Sequence, residues 1–230
     1  MNGERALLLA IDTATAVTGV ALFDGALVGE LTWQCRQQQT AELLPAVLGL
    51  LEQQGLTSAD LGAVAVSLGP GSFNGLRVGL STAKALAFGR GLPCLGIGTL
   101  DAAAYQYVVV ERAIRPLYDA GRGEVATALY RQQSGEMRQL EAPRLTTVAA
   151  LAEEIDQPTL ICGEVRATSI DLLRQRLGHL VSFPPQAGMV RRPGYLAQLG
   201  WRRWQDGEQD DLAALQPIYL RRPAITLPKT

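Results

Sequence analysis

Apolar positions follow two rhythms along this chain. Continuous runs of strand length alternate with segments where leucine and alanine recur every three or four residues. Ala6–Ile11 is the first run. Val17–Phe23 is the second, with Val20 and Leu22 pointing one way and Ala21 and Phe23 the other. Asp24-Gly25 is a hairpin signal, since both residues tolerate positive φ, and Leu27–Trp33 is the returning strand. From Thr40 to Gln54 the rhythm becomes helical, with Leu43, Leu44, Val47, Leu48 and Leu51 on repeating turns. Thr40 offers an N-cap and Gly55 a stop. Pro45 falls in or near the first turn, where a missing backbone donor costs least. Ala63–Ser67 then predicts a buried strand, Asn74–Arg90 a helix, Cys94–Ile97 a strand, and Thr99–Val108 a helix capped by Thr99.

Near Glu111 the pattern restarts. Ile114–Asp119, Val125–Arg131 and Met137–Leu140 predict strands, Thr147–Ile155 a helix, and Thr159–Cys162 a strand. Ser169–Leu177 predicts a helix, Val181–Phe183 a short strand, Gly194–Gln205 a final helix, and Leu215–Leu220 an extended tail. The order strand-strand-strand-helix-strand-helix thus occurs twice, without any repeat of residue identity. Each copy makes a mixed sheet with helices on its faces. The expectation is a two-lobed α/β protein of the actin-like, Hsp70-like kind. Residues 1–108 form the first lobe and 109–230 a smaller second, whose last helix and tail pack back on the first.

Several stretches carry candidate chemistry. Asp12-Thr13-Ala14-Thr15 sits between the first two strands, where backbone donors and hydroxyls can meet a phosphate; an ordinary polar turn has the same composition. Gly69-Pro70-Gly71-Ser72-Phe73-Asn74-Gly75 joins a buried strand to a helix, where anions are held. It is neither a Walker A loop nor a dinucleotide fingerprint, and it equally suits a close turn with tight helix packing. Asp12, Thr13, Thr15, Gly69 and Gly71 are the positions of a degenerate phosphate site. The following helix is rich in small residues, with Leu76, Leu80, Ala83 and Ala87 on one stripe, a face suited to core or to a partner helix. Asp119-Ala120-Gly121-Arg122-Gly123-Glu124 offers either an acid/base pair or a turn with Arg122 as ion-pair partner. Arg191, Arg192, Arg202, Arg203, Arg221 and Arg222 form a local arginine excess, read as a solvated face or a weak RNA footprint.

Composition narrows the field. At roughly 150 residues per domain, 230 residues make one large domain or two small ones. Hydrophobic residues at 47% and charged ones at 19% supply a core and exclude wholesale disorder. Lys plus Arg is 21 and Asp plus Glu is 22, so no global field draws nucleic acid or acidic lipid. The single histidine, His179, rules out a histidine-pair metal site. Any serine or cysteine triad would have to use it as base. Cys35, Cys94 and Cys162 form neither a disulfide framework nor a zinc knuckle. The N-terminal apolar run is too short for a signal peptide, and no stretch reaches the ~20 apolar residues of a membrane span. A cytoplasmic protein with no membrane role is the expectation.

Leu9-Ala10-Ile11-Asp12-Thr13-Ala14-Thr15, Glu42-Leu43-Leu44-Pro45, and Gly69-Pro70-Gly71-Ser72-Phe73-Asn74-Gly75-Leu76-Arg77 occur in that order. Asp119-Ala120-Gly121-Arg122-Gly123-Glu124-Val125 and Pro217-Ile218-Tyr219-Leu220-Arg221 follow. Over nearly its whole length the chain resembles the TsaB family, also called YeaZ. The sequence departs from the family pattern at Ala14, Gln39, Asn74 and Gly121.

The resemblance implies a non-catalytic subunit in the synthesis of threonylcarbamoyladenosine, next to the anticodon of tRNAs that read codons beginning with A. The catalytic relative, TsaD, holds its metal through two histidines on its first helix, where this chain has none. The resemblance further implies a heterodimer with TsaD through the two first-lobe helices, recruitment of the ATPase TsaE, and a homodimer in isolation. Contact with tRNA comes only through the complex. The isolated chain needs no cofactor, with ATP or ADP entering in the complex. Leu44, Val47, Leu48, Leu51, Leu76, Leu80, Ala83 and Ala87 are carried over as seam or support positions, and Leu80→Glu is expected to abolish association. The rival readings are a phosphotransferase of the sugar-kinase type and a peptidase of the related superfamily.

Overall fold

The computed structural model describes residues 7–35 and 38–221; the expected strand start at Ala6 and the arginine at 222 lie outside them. The first half forms β1 (Leu7–Asp12), β2 (Val17–Phe23), β3 (Leu27–Gln34), α1 (Gln39–Gln53), β4 (Leu61–Gly69), α2 (Phe73–Arg90), β5 (Cys94–Gly98) and α3 (Thr99–Tyr105). The second half forms β6 (Ala113–Gly121), β7 (Glu124–Gln133), β8 (Glu136–Thr147), α4 (Val148–Glu154), β9 (Thr159–Cys162), α5 (Ala167–Leu177), β10 (Val181–Ser182) and α6 (Pro193–Gln205).

The strands make two five-stranded sheets, ordered β3-β2-β1-β4-β5 and β10-β9-β6-β7-β8. Reversing the second list gives the first layout again: a meander whose first strand continues, in parallel, into helix-linked strands. In both sheets the meander pairs antiparallel and the crossover strands pair parallel. The duplicated two-lobed actin-like architecture expected from the element order is therefore present.

Burial explains why the central strands were legible. All six residues of β1 are buried, as a strand covered by helices on both faces requires. On one face Leu43, Val47, Leu50 and Leu51 of α1, with Leu80, Ala83 and Ala87 of α2, pack on Leu9, Ile11, Val64 and Val66. On the other face Leu196 and Ala197 of α6 pack on Leu8, Ala10 and Ala65. So the last helix, encoded after the second sheet, covers the first. In return α3 buries Leu100, Ala103 and Ala104 against Ile114, Tyr118 and Tyr130 of the second sheet. The lobes are joined by this exchange of helices.

Element ends moved where tertiary contacts outweighed local signals. Thr40 does not cap α1. The cap position is Gln38, which makes no side-chain cap bond, and Pro45 lies in the second turn. Two side chains hold this early start: Gln39 Nε2 donates to the Thr15 carbonyl at 3.4 Å, and Glu42 accepts from Trp33 Nε1 at 2.8 Å. Thr99 does not cap α3 either; Gly98 stands there, and the Thr99 hydroxyl accepts from Gly69 N–H at 3.0 Å. α3 ends at Tyr105, short of Val108. β8 runs to Thr147, far past Leu140, as an edge strand with no buried residue, whose polar side chains give no apolar rhythm.

Candidate functional site

The β1–β2 turn and the β4–α2 loop meet. They meet by gripping each other. Ser72 N–H donates to the Ala14 carbonyl at 2.6 Å, and the Thr13 hydroxyl donates to the Gly75 carbonyl at 2.7 Å. Ser72 also caps α2, accepting from Gly75 N–H at 3.4 Å. The glycines are there for closeness. A Cβ on Gly71 would run into the Ala14 carbonyl, and one on Gly75 into the Thr13 carbonyl. Gly75→Ala adds about 1 kcal/mol of helix propensity, but the clash is with backbone and costs about 1–3 kcal/mol. Urea unfolding is expected to show a net loss of stability.

Asp12, Thr13 and Thr15 are spent in the same way. Asp12 Oδ1 accepts from Ala14 N–H at 3.1 Å, and both Asp12 oxygens accept from Arg191, at 2.7 and 3.2 Å. The Arg191 side chain is 3% exposed. Its second amino group also donates to the Thr15 hydroxyl at 3.2 Å and the Val17 carbonyl at 3.3 Å, and the first pairs with Glu164. Its guanidinium lies 5.0 Å from the centre of the Tyr118 ring. Burial alone would push the Arg191 pKa down. The charges of Asp12 and Glu164 hold it well above its ordinary value, so the cation persists. Burial pushes the Tyr118 hydroxyl well up, so the ring stays neutral. Gly69 N–H is taken by Thr99, as above. Asp12, Thr13, Thr15 and Gly69 are thus engaged by the chain's own groups, and Gly71 lies against the Ala14 carbonyl.

Arg191 was grouped with the surface arginines; it is instead the most enclosed charge of the cleft. The other described members of that group also have partners. Arg192 Nε donates to Glu30 at 2.6 Å, Arg203 pairs with Glu208 and Asp210, and Arg202 stacks 5.1 Å from Tyr105. Arg221 pairs with Glu124. In the β6–β7 turn, Asp119 pairs with Arg166 and Glu124 with Arg221. Arg122, which one of the two sequence readings offered as the ion-pair partner, sits at the turn tip with a φ of 57°. His179 is exposed in the short helical turn after α5, and among the described residues its side chain makes no hydrogen bond. Glu164 and Tyr118, which complete the cleft cluster, carry no local sequence signal. Arg191 lies 179 positions from Asp12, so only the fold brings them together.

Cavities border these elements. One of about 200 Å³ is walled by Pro70, Gly71, Tyr118 and Asp119, and by Ile218 to Arg221 of the tail. Another of about 390 Å³ lies between β5, α3, α6 and the β7–β8 strands; its Asp101 carboxylate already accepts from Tyr130 at 2.7 Å.

The eight seam positions separate into two groups. Val47, Leu51, Leu76, Leu80, Ala83 and Ala87 are buried on the chain's own sheet, so they support the helices from beneath. Leu44 and Leu48 are 45% and 52% exposed. They lie one turn apart on the outer side of α1. On α2, Phe88 is 83% exposed. Sequence periodicity did not single out Phe88, because it stands off the apolar stripe.

Residues 34–190 match the family described as TsaD, tRNA N6-adenosine threonylcarbamoyltransferase. The tRNA threonylcarbamoyladenosine biosynthesis protein TsaB of Bacillus subtilis strain 168 is 30% identical over 218 residues, 93% of this chain and 93% of its own length. The Escherichia coli K12 protein of the same name is 39% identical over 127 residues, 54% of this chain and 55% of its own. Among solved structures, YeaZ from Pseudomonas aeruginosa matches with a TM-score of 0.75 at 25% identity, covering 94% of this chain and 100% of that one.

Proposed function

This chain belongs to the TsaB family of tRNA threonylcarbamoyladenosine biosynthesis proteins, and from that premise we propose that it is a non-catalytic partner subunit in that synthesis. It docks on TsaD through the outer face of α1 and α2, holds TsaD in its active shape, and brings the ATPase TsaE into the complex. Alone, the same face pairs with a second copy. The tRNA is met only in the complex, ATP or ADP enters with it, and the work is done in the cytoplasm.

The observation that carries this reading is the contrast around α1. Leu43, Val47, Leu50 and Leu51 are used by the chain's own core, while Leu44 and Leu48 of α1, and Phe88 of α2, remain open to solvent. Exposed apolar side chains on adjoining helices fit a helical partner. The non-catalytic part draws support from the cleft, where Asp12 and Thr15 are engaged by Arg191. It also draws support from α1, which has no histidine in the place where the resemblance puts the metal ligands of the catalytic relative.

The phosphotransferase rival separates from this reading in one titration. Calorimetry of the isolated chain with MgATP is expected to show no saturable binding in the micromolar range. Micromolar binding with turnover would replace the scaffold reading by the kinase-like one. Among the described residues no helix is long and apolar enough to cross a membrane.

A further inference from the structure

We propose that Arg191 is an internal lock: a permanent cation, supplied by the chain itself, that holds the two lobes in one closed arrangement without any ligand. Its partners come from both lobes. Asp12, Thr15 and Val17 belong to the β1–β2 turn of the first lobe. Glu164 follows β9 and Tyr118 lies on β6, both in the second. Arg191 itself stands in the segment that leaves β10 and enters α6, the helix that crosses back onto the first sheet. One guanidinium therefore ties three segments.

Charge gives the lock its strength. Asp12 and Glu164 are two carboxylates brought to one site from opposite lobes, and Arg191 is the cation between them. Without that cation they repel across the cleft in a poorly solvated place. The Thr15 hydroxyl adds a direct link, donating to Glu164 at 2.6 Å. A second fastening runs alongside. Ile218 N–H donates to the Leu68 carbonyl at 2.7 Å, Tyr219 packs 5.2 Å from Phe73, and Arg221 pairs with Glu124 of the second lobe. The tail crosses from lobe to lobe over the glycine loop. The cleft is closed by side chains at one point and strapped at another. The lobes of this chain have no ligand-driven opening cycle, and its outer face is presented in a fixed geometry. This inference does not depend on what α1 and α2 bind.

Hydrogen exchange and small-angle scattering on the full chain test it. The wild-type chain is expected to give one radius of gyration, unchanged by MgATP. Arg191→Ala is expected to enlarge that radius and to speed exchange about 10-fold or more in residues 12–17 and 159–166, while the interior of β1 and β4 stays protected. Millimolar ethylguanidinium, which can fill the vacated site, is expected to restore both readouts. Thr15→Val with Glu164→Gln removes the cross-lobe arm and keeps the Asp12 pair; it is expected to open the lobes in the same direction and keeps the test alive if Arg191→Ala does not fold. Wild-type radius and exchange in both variants would overturn the lock, as would compaction of the wild-type chain by MgATP.

Discussion

Leu44→Glu with Leu48→Glu is expected to weaken association with TsaD by about 100-fold or more, and to leave the thermal midpoint of the isolated chain within about 2 °C. Both leucines are about half exposed, so charging them costs the monomer little. In the proposed complex they meet an apolar helical surface, and two buried, unpaired carboxylates there are strongly unfavourable. The variant's self-association is expected to fall with it, since in the proposed reading one face serves both contacts. Calorimetric titration measures the first effect, sedimentation the second and differential scanning the stability. Undiminished binding would move the docking surface elsewhere on the chain.

Leu80→Glu is expected to act in the opposite way. It stands on the small-residue stripe that looked like a seam, yet Leu80 is 6% exposed and packs on the first sheet with Val66, Ala83 and Leu43. A carboxylate there is unpaired and deep in the hydrophobic cluster, and the chain also loses a core leucine. The expected cost is about 4 kcal/mol or more, a large share of a typical domain's stability. Urea titration by circular dichroism should show a chain that is partly or wholly unfolded in buffer. Any loss of TsaD binding by this variant reflects loss of the fold, so it reports on the core and not on the interface.

The difference between Leu48 and Leu80 shows what could be read in the sequence. Periodicity locates helices and their apolar positions, but a helix between a sheet and a partner has two apolar sides, and spacing alone does not say which is which. The buried strands were legible because β1 and β9 are short, apolar and fully covered, and β4 is covered except at Gly62 and Leu68. β8 was legible only at its start, because an edge strand with exposed polar side chains has no core-facing rhythm. The motifs at Asp12 and Gly69 stood out in the sequence. Their occupancy was not visible, since Arg191, Glu164 and Tyr118 reach them from distant parts of the chain. The exchange of α3 and α6 between lobes is likewise a tertiary fact, set by which face of each sheet remains to be covered.

The most direct test of the central claim is a reconstituted transfer assay. Purified TsaD, TsaE, an unmodified tRNA and the threonylcarbamoyl adenylate are combined with the wild-type chain, with its Leu44→Glu/Leu48→Glu variant, or with neither, and threonylcarbamoyladenosine is quantified by mass spectrometry. Modification is expected with the wild-type chain, and background yield with the variant and without the chain. Equal modification in all three reactions would contradict the central claim.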